Sequence, residues 1–219
     1  MPQRCSPGIL TTGNSLKLRG PVIAPLDRSI YLASRSPRRQ ELLAQIGVKF
    51  ESMELDVDEA VLEGESARAY VERLARAKAE AGWRRIERDS LRRAPVLGAD
   101  TTVAVDGRIL GKPADSREAA QMLATLSGRL HQVLTALALR FGARLETAVS
   151  ITEVRFRPLS PEDIARYLAT REFEDKAGAY GIQGHAARFV ADLHGSFSGV
   201  VGLPLYEAAQ LLERIGCAA

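Results

Sequence analysis

From Ile30 onward, short apolar runs of strand length alternate with helix starts marked by Ser-Pro or Asp, and any fold for this chain must satisfy that alternation. Ile30-Tyr31-Leu32-Ala33 reads as a strand. Ser36-Pro37 then supplies an N-cap and a proline at the first helical position. Leu42, Leu43 and Ile46 give that helix its apolar stripe, and Gly47 stands where a left-handed residue ends it. Val48-Lys49-Phe50 reads as the next strand, and a longer helix is expected from about Ser66 to Trp83, with Tyr70, Val71, Leu74 and Ala81 on its apolar side. A strand entered at Pro95 continues through Val105, where Asp106-Gly107 is a strong hairpin signal. Asp115 and Glu118 form a capping pair that opens a helix closed by Gly128. Two strand-like runs follow, His131 to Phe141 and Thr147 to Phe156, then a helix from Ser160-Pro161. The remainder reads as a glycine-rich loop from Gly178 to Gly184, two strands around His194-Gly195, and a helix through Leu211, Leu212 and Ile215. Helices interleaved with strands and hairpins imply an α/β fold around a mixed sheet.

The 219 residues fit one large globular domain, here placed at residues 30–219, with residues 1–29 expected to be a flexible extension or a misplaced start. Lys plus Arg exceed Asp plus Glu by three, a balance compatible with an anionic ligand and too small for a nucleic-acid coat. The two cysteines, Cys5 and Cys217, lie near opposite ends, which favours a reducing, cytoplasmic setting over a disulfide framework. No apolar run reaches the ~18 residues of a membrane span.

Two helix starts make an internal comparison. Ser160-Pro161 is followed by Glu162-Asp163, acids at the positive end of the helix dipole. Ser36-Pro37 is followed by Arg38-Arg39, cations at the end that repels them. A bound anion reverses the sign of that cost, because free N–H groups and arginine forks together form a phosphate cradle. The plainer alternative is a pair of solvated surface arginines. Asp100 is the residue that strand propensity least explains, since its neighbours Val96, Leu97 and Val103 read as buried. Its carboxylate needs a partner: a divalent metal, or lysines such as Lys78 and Lys112, against the alternative of a salt-bridged strand-end aspartate. Lys78 lies beside the apolar stripe of its helix, where snorkelling alone would account for it. Lys112 is flanked by Gly111 and Pro113, a fixed backbone but a weak signal taken alone, and Glu59 is a second acidic candidate in a loop that solvation also explains. The chain has no P-loop, no Gly-x-Gly-x-x-Gly after a strand, no His-Glu-x-x-His and no Gly-x-Ser-x-Gly elbow. His131, His185 and His194 lack ligand spacing.

Leu32-Ala33-Ser34-Arg35-Ser36-Pro37-Arg38-Arg39, followed by Glu41-Leu42-Leu43, resembles the opening signature of the Maf family. Four further segments agree in order: Leu74 to Ala79, Gly98-Ala99-Asp100-Thr101, Gly111-Lys112-Pro113, and Asp175 to Gly184. Val201-Gly202-Leu203-Pro204 matches the family's closing motif. The resemblance covers about Ile30 to Ile215. It implies two lobes around a cleft, as in the inosine-triphosphate pyrophosphatases, commonly a homodimer. It implies hydrolysis of nucleoside triphosphates to monophosphate and pyrophosphate with Mg2+ or Mn2+, and the stretch Ala177 to Gly184 resembles the branch acting on dTTP and UTP. Asp100 is then the general base, also holding the metal with Glu59. Ser34, Arg38, Arg39, Lys78, Thr101, Lys112 and Gln183 bind substrate, with Arg38, Thr101 and Gln183 helping to select the nucleotide. Arg35 departs from the small or neutral residue usual at its position. A nucleic-acid-binding module and a non-enzymatic regulator of septum formation are the other classes, the first weakened by the small net charge and the lack of an aromatic platform.

Overall fold

The computed structural model describes residues 29–216, so the reading of the N-terminal extension and both cysteines lie outside the described residues, Ser29 excepted. A mixed seven-stranded sheet forms the centre, in the order β2 (Phe50–Ser52), β1 (Ile30–Ala33), β3 (Val96–Val105), β5 (Leu130–Phe141), β6 (Arg144–Phe156), β7 (Val190–His194), with β4 (Arg108–Leu110) paired to β3. β1 runs parallel to β2 and β3, and every other pairing is antiparallel.

Side chains alternate strictly along β3, as the two-residue period of a strand requires. Leu97, Ala99, Val103 and Val105 enter the largest apolar cluster, which also takes Leu42 and Leu43 of α1 (Pro37–Gln45), Leu123 and Leu126 of α3 (Ser116–Leu126), Tyr167 of α4 (Pro161–Leu168), and Leu211 and Leu212 of α6 (Leu205–Arg214). Val96 and Ala104 face the other way, onto α2 (Ala67–Arg88). Helices therefore cover both faces of the sheet, the architecture expected from the alternating pattern.

Two sequence assignments need correction. The strand expected at Val48 to Phe50 lies two residues later, at β2, because Val48 is tied back to Leu43 and ends the α1 turn. Of the two strands expected around His194-Gly195, only β7 exists. The second is the five-residue helix α5 (Phe197–Val201), whose N-cap Ser196 accepts from Gly199 N–H at 3.0 Å. Two valines and a phenylalanine read as a strand, but a capped turn has already satisfied the backbone there.

The pairing along β3 also leaves a gap that matters for function. β1 ends where Ala33 pairs with Gly98, and β4 reaches no further along β3 than its last residue, Leu110, which pairs with Val103. Between them, residues 99–102 of β3 have a neighbour, β5, on one edge only. The open edge forms the floor of a cleft of about 1240 Å³, lined by the β1–α1 turn, the loop around Glu59, Lys112, and the segment from Glu172 to Gly184. It sits beyond the carboxyl end of β1, where α/β sheets place ligands.

Candidate active site

Gly98 sets the position of α2. A methyl group on Gly98 would overlap the Ala75 carbonyl and lie 2.7 Å from the Ala79 amide, so only glycine lets the helix approach the strand this closely. That approach delivers Lys78 to Asp100. Its Nζ donates to Asp100 Oδ1 at 2.6 Å and to Glu59 Oε1 at 2.7 Å, while Lys112 Nζ donates to Glu59 Oε2 at 3.1 Å. Two carboxylates and two ammonium groups, read from four separate sequence segments, thus form one network. Lys78 is part of it and does not merely snorkel.

The electrostatics of the two acids diverge. Burial raises the Asp100 carboxyl above the ordinary aspartate range, despite Lys78 and Arg39 nearby, because only 6% of the residue is exposed. Burial also acts on Glu59, but its hydrogen bond and charge contact with Lys78, helped by Lys112, outweigh it and hold that carboxyl below its ordinary range.

On the opposite face of the strand, Thr101 Oγ1 accepts from Arg39 Nη2 at 3.1 Å. Arg39 also donates from Nη1 to Ser34 Oγ at 3.2 Å and from Nε to the Gly202 carbonyl at 2.8 Å. Protein oxygens therefore hold each nitrogen of its guanidinium through one N–H, and burial lowers its pKa. Arg39 joins three parts of the chain at the cleft, and Ser34 serves to hold it. Gly202 was visible in the sequence only as part of a motif. Its backbone has φ 126°, a conformation that a side chain rarely adopts, and this turns its carbonyl toward Arg39.

Arg38 is different. It lines the cleft, and among the described residues it makes no hydrogen bond or ion pair. The α1 start has no side-chain cap from Ser36 and no acid in its first turn. The α4 start carries a complete capping box between Ser160 and Asp163, with Arg157 and Arg166 on the same carboxylate. The contrast expected from sequence is realised: one helix start is finished within the protein, and the other is open to the cleft. Arg35 pairs with Glu54 at 3.4 Å on the surface, a contact worth little there.

Gln183 is exposed and lines the cleft within the Gly181–Gly184 turn. The turn is pinned by Glu172, whose Oε2 accepts from His185 N–H at 2.8 Å, and a methyl group on Gly184 would come within 2.6 Å of the Glu172 carboxyl carbon. Glu172 and Lys176, both at the cleft, escaped the sequence reading, because a charged residue in a polar loop carries no signal of its own beyond its motif. Of the histidines, His131 is buried and bonded to Tyr180 Oη at 2.8 Å, with burial lowering its pKa to about 4. It belongs to an aromatic cluster with Phe156 and Tyr180.

Among the described residues, no group of three or more His, Cys, Asp or Glu side chains is placed to hold a metal, and no helix is long and apolar enough to cross a membrane. Asp100 and Glu59 are the two acids that converge, each one hydrogen bond from the Lys78 ammonium. That donor set fits a magnesium-like cation held by one or two carboxylates and completed by substrate phosphates.

The family model described as Maf-like protein matches residues 29–215. A dTTP/UTP pyrophosphatase of Aromatoleum aromaticum is 55% identical over 201 residues, spanning 88% of this chain and 98% of its own. Proteins of the same name from Chromobacterium violaceum and Nitrosomonas europaea are 53% and 51% identical, covering 87% and 89% of this chain and 96% and 98% of theirs. The fold, the cleft and these matches agree, and the chain belongs to the Maf family.

Proposed function

We propose that this protein hydrolyses dTTP, UTP and related pyrimidine triphosphates at the α–β phosphoanhydride, giving the nucleoside monophosphate and pyrophosphate and so removing or limiting non-standard nucleotides. The observation that carries this reading is the convergence of Asp100, Glu59, Lys78 and Lys112 at the open edge of β3, facing the uncapped α1 start and Arg38, which has no partner among the described residues. The relatives named dTTP/UTP pyrophosphatase support the choice of substrate.

The chemistry follows from what each group can do. Lys78 occupies Asp100 Oδ1 and fixes the carboxylate, leaving Oδ2 without a protein donor among the described residues. Burial makes that carboxylate a stronger base than an exposed aspartate, suited to taking a proton from a water aimed at the α-phosphorus. A divalent cation, when bound at Asp100 and Glu59, supplies Lewis acidity to the phosphate oxygens and acidifies water. Lys112, Arg38 and the free amides of the α1 start neutralise the polyphosphate, so pyrophosphate leaves without a covalent enzyme intermediate. Thr101, held by Arg39 and Thr135, fixes the floor beside Asp100. Gln183 offers an amide donor and acceptor, matching the O4 and N3–H edge of uracil or thymine.

The cytoplasm is the proposed location, supported by two cysteines far apart in sequence; a homodimer is proposed as what the family resemblance implies, and the small net charge supports no nucleic-acid partner. A panel of triphosphates with Mg2+ or Mn2+, scored for pyrophosphate against orthophosphate, tests the function. Pyrophosphate from dTTP and UTP in preference to purine triphosphates is expected. Orthophosphate release, or no turnover of either pyrimidine, would reject it.

A further inference from the structure

The cations around the cleft are not equivalent. Lys78 and Lys112 are bonded to Asp100 and Glu59, two positive charges against two negative. Arg39 is committed to three protein oxygens. Arg35, also in the lining, pairs with Glu54, which leaves Arg38 and Lys176 facing the cleft. Lys176 opens the 3-10 turn Ala177–Ala179 and lays its stem across Gly181, where a methyl group would lie 2.9 Å from Lys176 Cε. Side-chain size at Gly181 is thus limited by the path of the lysine. Among the described residues its Nζ has one partner, the Glu174 carbonyl at 3.3 Å. Of the acids nearby, Glu174 pairs with Arg171 and Glu172 accepts from the His185 amide, while Asp175, the adjacent residue, acts on the lysine only through its charge. Among the described residues no carboxylate forms an ion pair with Lys176 or Arg38.

From this accounting we infer that Lys176 is a substrate-binding residue which, with Arg38 across the cleft, grips the polyphosphate of the incoming nucleotide. The inference rests on the triphosphate reading of the cleft. Arg38 and Lys176 face one cavity with no ion-pair partner among the described residues, and Glu172, Asp175 and Glu174 offset their repulsion only in part; an anion between the two cations converts it into attraction. Burial, and then the Arg38 charge, lower the Lys176 pKa, as such an arrangement requires. The half-buried stem holds the ammonium at the wall, so binding sacrifices less side-chain freedom than it would for an exposed lysine. Lys176 sits seven residues before Gln183 in the same wall, which couples phosphate grip to base reading through one short segment.

Titration calorimetry with inorganic tripolyphosphate and Mg2+ tests this on wild type, Lys176→Met, Lys176→Arg and Lys49→Met, the last an exposed lysine that does not line the cleft. Lys176→Met is expected to weaken binding about tenfold or more, the scale of one charge-assisted hydrogen bond. Lys176→Arg should stay within a few-fold of wild type, and Lys49→Met should match it. The same loss should appear in KM for dTTP. Equal tripolyphosphate affinity in wild type and a folded Lys176→Met protein overturns the inference, as does a wild type that binds no tripolyphosphate. If tripolyphosphate binding depends on Lys176 but dTTP is not hydrolysed, the grip stands and the proposed activity fails.

Discussion

Asp100 carries the account at the scale of single residues. Asp100→Asn keeps the shape of the side chain and removes its basicity, so turnover of dTTP should fall by ~10²–10⁴-fold while the protein still folds, as steady-state kinetics and thermal melts would show. A second consequence concerns stability and pH. The buried carboxyl holds its proton more tightly in the folded chain than in the unfolded one. Its favourable contribution is therefore complete below the ordinary aspartate range and is lost as pH rises through the raised folded value. In metal-free buffer, Asp100→Asn should gain stability relative to wild type as pH rises across that window, and denaturant titrations at several pH values check the sign. Glu59, with a lowered pKa, works in the opposite sense and loses its contribution as pH falls. The sequence made Asp100 legible because an acid within an apolar strand is out of place. It could not show Lys78 bridging Asp100 and Glu59, because a lysine beside an apolar stripe looks the same whether it snorkels or binds. Lys176 stayed hidden because a lysine in a polar loop carries no signal of its own beyond its motif.

Among the elements, the two Ser-Pro helices offer a paired experiment. Ser160→Ala breaks the capping box of α4 and should cost about 1 kcal/mol of stability with turnover unchanged. Arg38→Ala at the open start of α1 should leave the melting temperature unchanged or slightly raised, because a cation opposed by the helix dipole is gone, and should lower turnover strongly. If Arg38→Ala lowered stability and left kinetics intact, the arginine would be structural. Gly98→Ala tests a contact between elements. The added methyl meets backbone atoms of α2 that cannot rotate away, so ~1–3 kcal/mol of stability should be lost and Lys78 displaced from Asp100, seen as a lower melting temperature together with lower turnover. Element types were mostly readable, because capping residues and apolar periods fix them locally. α5 was not, since three of its five residues, Phe197, Val200 and Val201, carry strand-like side chains and outweighed the cap at Ser196.

In the whole molecule, function depends on contacts that no local pattern encodes. Arg39 reaches Gly202 across 163 positions of sequence, and Gly178 N–H donates to the Gly111 carbonyl at 3.0 Å. These ties draw the wall carrying Lys176 and Gln183 toward the floor carrying Asp100, and the gap between β1 and β4 leaves that floor open. The ordered motifs made the cleft's membership readable. Its geometry was not, because the strand order and the gap follow from pairing across the sheet. The central claim is that water, activated at Asp100, attacks the α-phosphorus and expels pyrophosphate. Turnover of dTTP in 18O-labelled water, followed by mass spectrometry of both products, tests it most directly. The account predicts one labelled oxygen in dTMP and none in pyrophosphate; label in pyrophosphate or in orthophosphate would contradict it.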